Sequence, residues 1–194
     1  MTVIRVNPSS VVGYGNKAES TFGEMHTSLT NLVNQVVNVR YFGPNAVKFK
    51  TDIGTIAADF ANALHKDMAK MADAVKASTT AIAQSLGGQA ITIQVSPKAI
   101  TPPVPPTVDY VDVDTSALEA LTGNVDSRFA ELNAGLDANL TSLSATDWEG
   151  KAKEAAVQVV TSFTTSAKTK CTEAQTKINA FINKQVEVAT SADK

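Results

Sequence analysis

The side chains of this chain that could do acid–base, metal or nucleophilic chemistry are few and scattered. His26 and His65 are its only histidines. Each sits among polar positions of a helical pattern, and neither has a second histidine, a cysteine or paired carboxylates at metal-ligand spacing. His65-Lys66-Asp67 reads as a solvated helix face. The single cysteine, Cys171, cannot close an internal disulfide, and it falls on the apolar stripe of its helix, where a buried, inert thiol is expected. No G-x-x-x-x-G-K loop is present to cradle phosphates. Serine and threonine are abundant, but a hydroxyl becomes a nucleophile only beside a positioned base, and no such arrangement is legible. The expectation is a non-enzymatic protein without metal or cofactor.

The elements that carry these side chains follow from composition and period. With 194 residues, 43% hydrophobic and 19% charged, the chain can bury a core as one domain or as two small, closely packed ones. A formal charge of −2 without a Lys/Arg cluster points away from nucleic acid and from anionic membranes. No segment approaches the ~20 apolar residues of a membrane span, and Met1 to Pro8 lacks a basic start followed by an apolar run. A soluble protein is expected, one whose export would use a route other than a cleaved N-terminal signal.

One constant shift organises the chain. Tyr41-Phe42-Gly43 and Trp148-Glu149-Gly150 each lie between two long amphipathic stretches, 107 residues apart. The same shift places Phe22 on Phe129, Met25 on Leu132, Leu29 on Leu136 and Val36 on Leu143 without a gap. Beyond the triplets it pairs Phe49 with Ala156, Ile53 with Val160, Leu64 with Cys171 and Val75 with Ile182. Comparing 3–86 with 110–193 gives only eight identities in 84 pairs, so what repeats is an apolar pattern and a turn.

Ile4-Arg5-Val6 reads as a short extended lead-in closed by Asn7-Pro8-Ser9-Ser10, whose serines are candidate helix caps. A first helix is predicted from about Ser10 to Arg40, with Ala18, Phe22, Met25, Leu29, Leu32/Val33 and Val36 on one stripe. Gly43-Pro44 ends it. The second helix carries Phe49, Ile53, Ile56, Phe60, Leu64, Met68, Met71, Val75, Ser78 and Ile82 and stops at Gly87-Gly88. Five of the seven prolines then fall at positions 97, 102, 103, 105 and 106, which excludes helix and favours a semi-rigid polyproline linker over 89–109. Within it Ala90 to Val95 alternates like a strand without a nameable partner.

Val111 to Ser116 mirrors the first lead-in, and Leu118, Leu121, Val125, Phe129, Leu132, Leu136, Leu140 and Leu143 mark a third helix. Thr146-x-x-Glu149 has capping-box spacing with Asp147 as a competing cap, so the fourth helix is expected to start at or just before the triplet. Its stripe is Ala152, Ala156, Val160, Phe163, Ala167, Cys171, Ala174, Ile178, Phe181 and Ile182, fraying through Val188 to Lys194. The domains expected are a hairpin over 1–88, the linker 89–109 and a second hairpin over 110–194.

A helix, a turn holding Trp-x-Gly and a second helix resembles the small Trp-x-Gly hairpin proteins exported by type VII secretion systems. Trp148-Glu149-Gly150, followed by Ala152, Ala155-Ala156 and Phe163, matches that family's turn and helix start. Tyr41-Phe42-Gly43, followed by Asn45-Ala46 and Phe49, is a degenerate match with tyrosine in the tryptophan position. Each glycine can take the dihedrals that a reversal needs, and each aromatic can cap the end of a hydrophobic seam. The resemblance implies in addition that the triplets, Tyr41, Phe42, Gly43, Trp148, Glu149 and Gly150, contribute to a recognition surface. It also implies an export motif, Tyr-x-x-x-Asp/Glu, after the second helix of a hairpin. Tyr110 and Asp114 have that spacing but follow prolines and lead into the third helix, and the tail from Gln185 to Lys194 has no tyrosine.

The architecture expected is all-α: two antiparallel helical hairpins joined by the proline-rich linker and packed into one elongated four-helix bundle. Family members pair as dimers of hairpins, so the resemblance implies a fused, intramolecular pseudo-dimer that is a monomer. The function implied is a secreted or secretion-associated type VII protein that acts through protein contacts, with a secretion ATPase or a co-secreted protein as partner. The alternative is a cytoplasmic helical scaffold or chaperone-like adaptor.

Overall fold

The computed structural model describes residues 4–87, 91–95 and 99–192. Four helices dominate it: α1 (Pro8–Asn38), α2 (Pro44–Leu86), α3 (Thr115–Ser144) and α4 (Lys151–Ala192). Four two-residue strands punctuate them: β1 (Arg5–Val6), β2 (Tyr41–Phe42), β3 (Asp112–Val113) and β4 (Trp148–Glu149). The protein is all-α, a helical bundle of two hairpins, α1/α2 and α3/α4.

The residues fall into two compact units, and each takes a segment from every helix. Unit one holds α1 up to Met25, α2 from Ala63, α3 from Asn133 and α4 up to Thr169; unit two holds the remaining segments. In unit one the core is formed by Tyr14, Phe22, Leu64, Met68, Leu136, Val160 and Trp148. In unit two it is formed by Leu29, Leu32, Ile53, Leu118, Phe129, Cys171 and Ile178, with the rings of Phe60 and Phe129 5.3 Å apart. Packing between the two hairpins therefore exists inside each unit.

The helix starts have local causes. Pro8 occupies the first turn of α1, where its missing N–H costs nothing. The cap is Asn7, whose side-chain oxygen accepts from Ser10 N at 3.4 Å, and not one of the serines. The Ser10 hydroxyl accepts from Asp147 N at 2.9 Å instead. In α3 the equivalent cap is Asp114, whose Oδ1 accepts from Ala117 N at 2.9 Å. Gly43 (φ 121°) and Gly150 (φ 113°) precede α2 and α4 in a backbone conformation that side chains resist. The capping box at Thr146 and Glu149 does not form: Thr146 donates back to Leu143 O at 2.7 Å, Glu149 lies in β4, and α4 begins only at Lys151.

Several stripe positions differ from the sequence reading because the buried face of a helix in a bundle is wider than one residue per turn. His65 is buried, not on a solvated face, since it lies four residues after the buried Ala61 and three before Met68. In α2 the seam runs through Ala57 and Ala61, with Ile56 and Phe60 only half-buried at its flanks. In α3 the inward position is Asn139, with Leu140 beside it half-buried, and Phe181 of α4 is exposed.

The linker packs onto its own hairpin. In unit one Ile91 and Ile93 are buried while Thr92 and Gln94 face out, the expected alternation but with no strand partner among the described residues. Its anchor there is Gln94 N, which donates to Glu19 Oε1 at 2.6 Å. In unit two Ile100 N donates to Asn62 Oδ1 at 3.0 Å, Asn62 Nδ2 donates back to Ile100 O at 3.4 Å, and Pro102 sits over Gly54, where an added Cβ would lie 3.1 Å from it. The expectations for Gly88, Gln89, Ala90 and Pro97 fall outside the described residues.

Candidate functional site

Each turn triplet pairs with the lead-in strand of the other hairpin. In unit two, β2 is antiparallel to β3 with Tyr41 opposite Val113 and Phe42 opposite Asp112. In unit one, β1 is antiparallel to β4 with Val6 opposite Trp148 and Arg5 opposite Glu149. A shift of 107 converts one register into the other. It also converts the flanking backbone bonds, Asn7 N to Asp147 O (2.8 Å) into Asp114 N to Arg40 O (3.1 Å), and Tyr41 N to Val39 O into Trp148 N to Thr146 O, both 2.8 Å. The sequence repeat is thus a structural one down to single hydrogen bonds.

The Tyr41 corner, in unit two, brings Tyr41, Phe42 and Gly43 together with Tyr110 and Asp114. Tyr41 is buried, its ring lies 5.6 Å from Phe49, and its hydroxyl accepts from Gln185 Nε2 at 2.7 Å. Burial raises its pKa above the ordinary tyrosine value, so the hydroxyl stays neutral. Phe42 lies between two partners, the Tyr110 ring at 6.3 Å and the Lys50 ammonium 4.8 Å from its centroid. Lys50 is itself buried, and desolvation lowers its pKa. Gly43 leaves room for Val111, whose Cγ2 would sit 3.1 Å from an added Cβ.

Beside the Arg40–Asp112 pair this corner exposes apolar side chains. Tyr110 is 58% exposed and Val111 73%, and Val188 of α4 is exposed as well. Beside them a cleft of about 350 Å³ is lined by Phe42, Pro44, Val111, Val188, Ala189 and Ala192, among others. Asp114 does not face this surface freely, because its carboxylate caps α3.

The Trp148 corner, in unit one, is built differently. Trp148 is 1% exposed, and its indole Nε1 has no hydrogen-bond partner among the described residues. Lys153 Nζ donates to Ser144 O at 3.0 Å and to Thr146 O at 2.9 Å, closing the carbonyl end of α3. Glu149 is exposed. The two triplets lie in different units.

Sequence reading missed four charges and one buried polar pair. Arg5 and Asp147 approach to 3.5 Å, and Arg40 and Asp112 to 3.2 Å. The available signal was the 107 shift, which superposes Arg5 on Asp112 and Arg40 on Asp147. In unit one Tyr14 donates to Asn139 Oδ1 at 3.2 Å in the core, and Asn139 Nδ2 has no partner among the described residues. Among the described residues no three His, Cys, Asp or Glu side chains gather as a metal site, and no helix is long and apolar enough to cross a membrane. Comparison with protein-family models, curated proteins and solved structures finds no match to this chain.

Proposed function

We propose that the protein is a non-enzymatic, Trp-x-Gly-like protein of a type VII secretion system that acts through protein contacts, a hairpin dimer fused into one chain. The observation that carries this reading is the reciprocal pairing of each aromatic-x-Gly turn with the lead-in strand of the other hairpin in one register. A dimer of identical hairpins related by a twofold axis would pair in that way. The Tyr41 corner is the proposed contact surface, because Tyr110, Val111 and Val188 present exposed apolar groups beside a cleft. A secretion ATPase or a co-secreted protein is the proposed partner, and the protein acts outside the cell or at its surface. A second reading, a cytoplasmic scaffold or adaptor, is favoured by the capping bond of Asp114, which occupies the acidic residue of the would-be signal.

Export decides between them. Supernatant levels are compared for the wild type, Tyr110→Ala, Asp114→Asn, which keeps a capping oxygen, and a truncation after Lys184, each with and without the secretion ATPase. Dependence on the ATPase with loss in Tyr110→Ala supports the displaced motif, and loss with the truncation alone puts the signal in the tail. Equal export of all four forms supports carriage by a partner. Retention of the wild type in the cytoplasm while the system is active overturns the secretion reading.

A further inference from the structure

The two corners share a register but carry opposite charge patterns. At the Trp148 corner the lead-in strand supplies Arg5 and the turn supplies Asp147; at the Tyr41 corner the lead-in supplies Asp112 and the turn Arg40. Equivalent positions therefore hold opposite signs, and complementarity exists only between unlike halves. Setting the first lead-in against the first turn would bring Arg5 beside Arg40. Setting the second lead-in against the second turn would bring Asp112 beside Asp147.

One further ladder position discriminates in the same sense, since Arg5 stands opposite Glu149 and a like pairing would set Asp112 there instead; the other position is neutral. Val6 and Val113 are identical residues in the same register position, and their partners Trp148 and Tyr41 are both aromatic. The neighbouring cap residues reinforce the charges: Asn7 Nδ2 donates to Asp147 Oδ2 at 3.4 Å, whereas Asp114, its counterpart, would set a further carboxylate against Asp147 in a like pairing. Like pairing is also out of reach within one hairpin. The 31 residues of α1 separate its lead-in from its turn by about 46 Å at 1.5 Å per residue. A like pair needs a second copy of this chain.

We propose that Arg5, Arg40, Asp112 and Asp147 form a pairing code. Each turn accepts the lead-in strand of the unlike hairpin and rejects that of the like one, so two copies that exchange hairpins do so only in unlike combinations. Both pairs are partly exposed, at 66% and 41% for Arg5 and Asp147 and at 63% and 35% for Arg40 and Asp112, so attraction alone is worth roughly threefold at each corner. A like pairing loses that attraction and gains repulsion, about tenfold per corner and on the order of a hundredfold for the two corners of each chain. Added salt screens the difference.

The test uses the full chain. Arg5→Asp with Asp112→Arg makes both native corners repulsive and both like corners attractive. Sedimentation across a dilution series should show its association to dimers strengthened on the order of ten-thousandfold over wild type, about a hundredfold for each of the two chains, with the gain shrinking as salt is added. Because Glu149 stands opposite position 5, all four charges are reversed on a Glu149→Gln background, which should return the association and the unfolding midpoint of Glu149→Gln alone. If the double variant does not fold at low salt, it is folded at high salt, where the native repulsion is screened, and its association is followed as the salt is withdrawn, when it should rise. A double variant that associates as weakly as wild type overturns the code, even if its midpoint falls, because attraction would then exist without discrimination. A fourfold reversal that behaves like the double variant overturns it as well.

Discussion

Trp148→Ala removes the largest side chain in the core of unit one, and the structure sets the size of the effect. The ring is almost wholly buried, and a buried tryptophan withdraws up to about 250 Å² from water. At ~25 cal/mol per Å² that is about 6 kcal/mol, reduced to roughly 4 because a real denatured chain already hides part of its apolar surface. One term runs the other way. The indole Nε1 has no hydrogen-bond partner among the described residues, and an unmet buried donor costs about 1 kcal/mol, which the alanine relieves. The net loss expected is about 3 kcal/mol. With about 2.1 cal/mol/K per residue over 194 residues, the melting temperature should fall by about 7 °C. Trp148→Phe keeps most of the buried ring and also discards the unmet donor, so it should lie within about 1 kcal/mol of wild type. Urea unfolding followed by circular dichroism measures both. Equal losses for alanine and phenylalanine would refute the reasoning, since they would show that the N–H and not the apolar area carries the energy; so would a midpoint that hardly moves for Trp148→Ala.

Two further perturbations follow from the core and the acidic side chains. Tyr14→Phe, which strips Asn139 of the hydroxyl that donates to it, should cost about 1 kcal/mol, while Tyr14→Phe combined with Asn139→Leu should recover or exceed wild-type stability, because replacing both members of a half-satisfied buried pair removes the desolvation penalty; thermal melts of the single and double variants check this. Glu131 accepts from the Ser28 hydroxyl and from Arg128 at 2.9 Å, and these interactions, that of Ser28 first, hold its carboxyl below the ordinary value of 4.5. A depressed folded-state pKa gives stability that is fully present above the unfolded value and is lost as pH falls through the folded one. The wild type should therefore lose stability below pH 4.5 faster than Glu131→Gln does, a difference that denaturant titrations at successive pH values would register and that parallel acid limbs would contradict.

Local signals in the sequence determined the elements. Steps of three and four residues among Phe22, Met25, Leu29, Val33 and Val36 specify a helix because its period is a property of the backbone, and Gly43-Pro44 specifies a break for equally local reasons. The shared shift of 107 made the duplicated hairpin legible, and with it the positions of both turns. The Tyr41–Gly43 and Tyr110–Asp114 candidates were each visible as spacings. Their meeting at one corner was not, since no local rule says that a lead-in strand joins the turn of the other hairpin across 72 residues, as Arg40 and Asp112 do. The same holds for His65, for Asn139 in place of Leu140, and for the linker seated on Asn62 and Gly54. Burial at the margin of a stripe depends on which neighbour stands opposite, and a cap is settled by competition, as when Asn7 takes the role offered to the serines and Ser10 turns to Asp147. Period and turn chemistry are written into consecutive residues; partners are chosen by the geometry of four helices packed together, and only that geometry turned four scattered charges into two complementary corners.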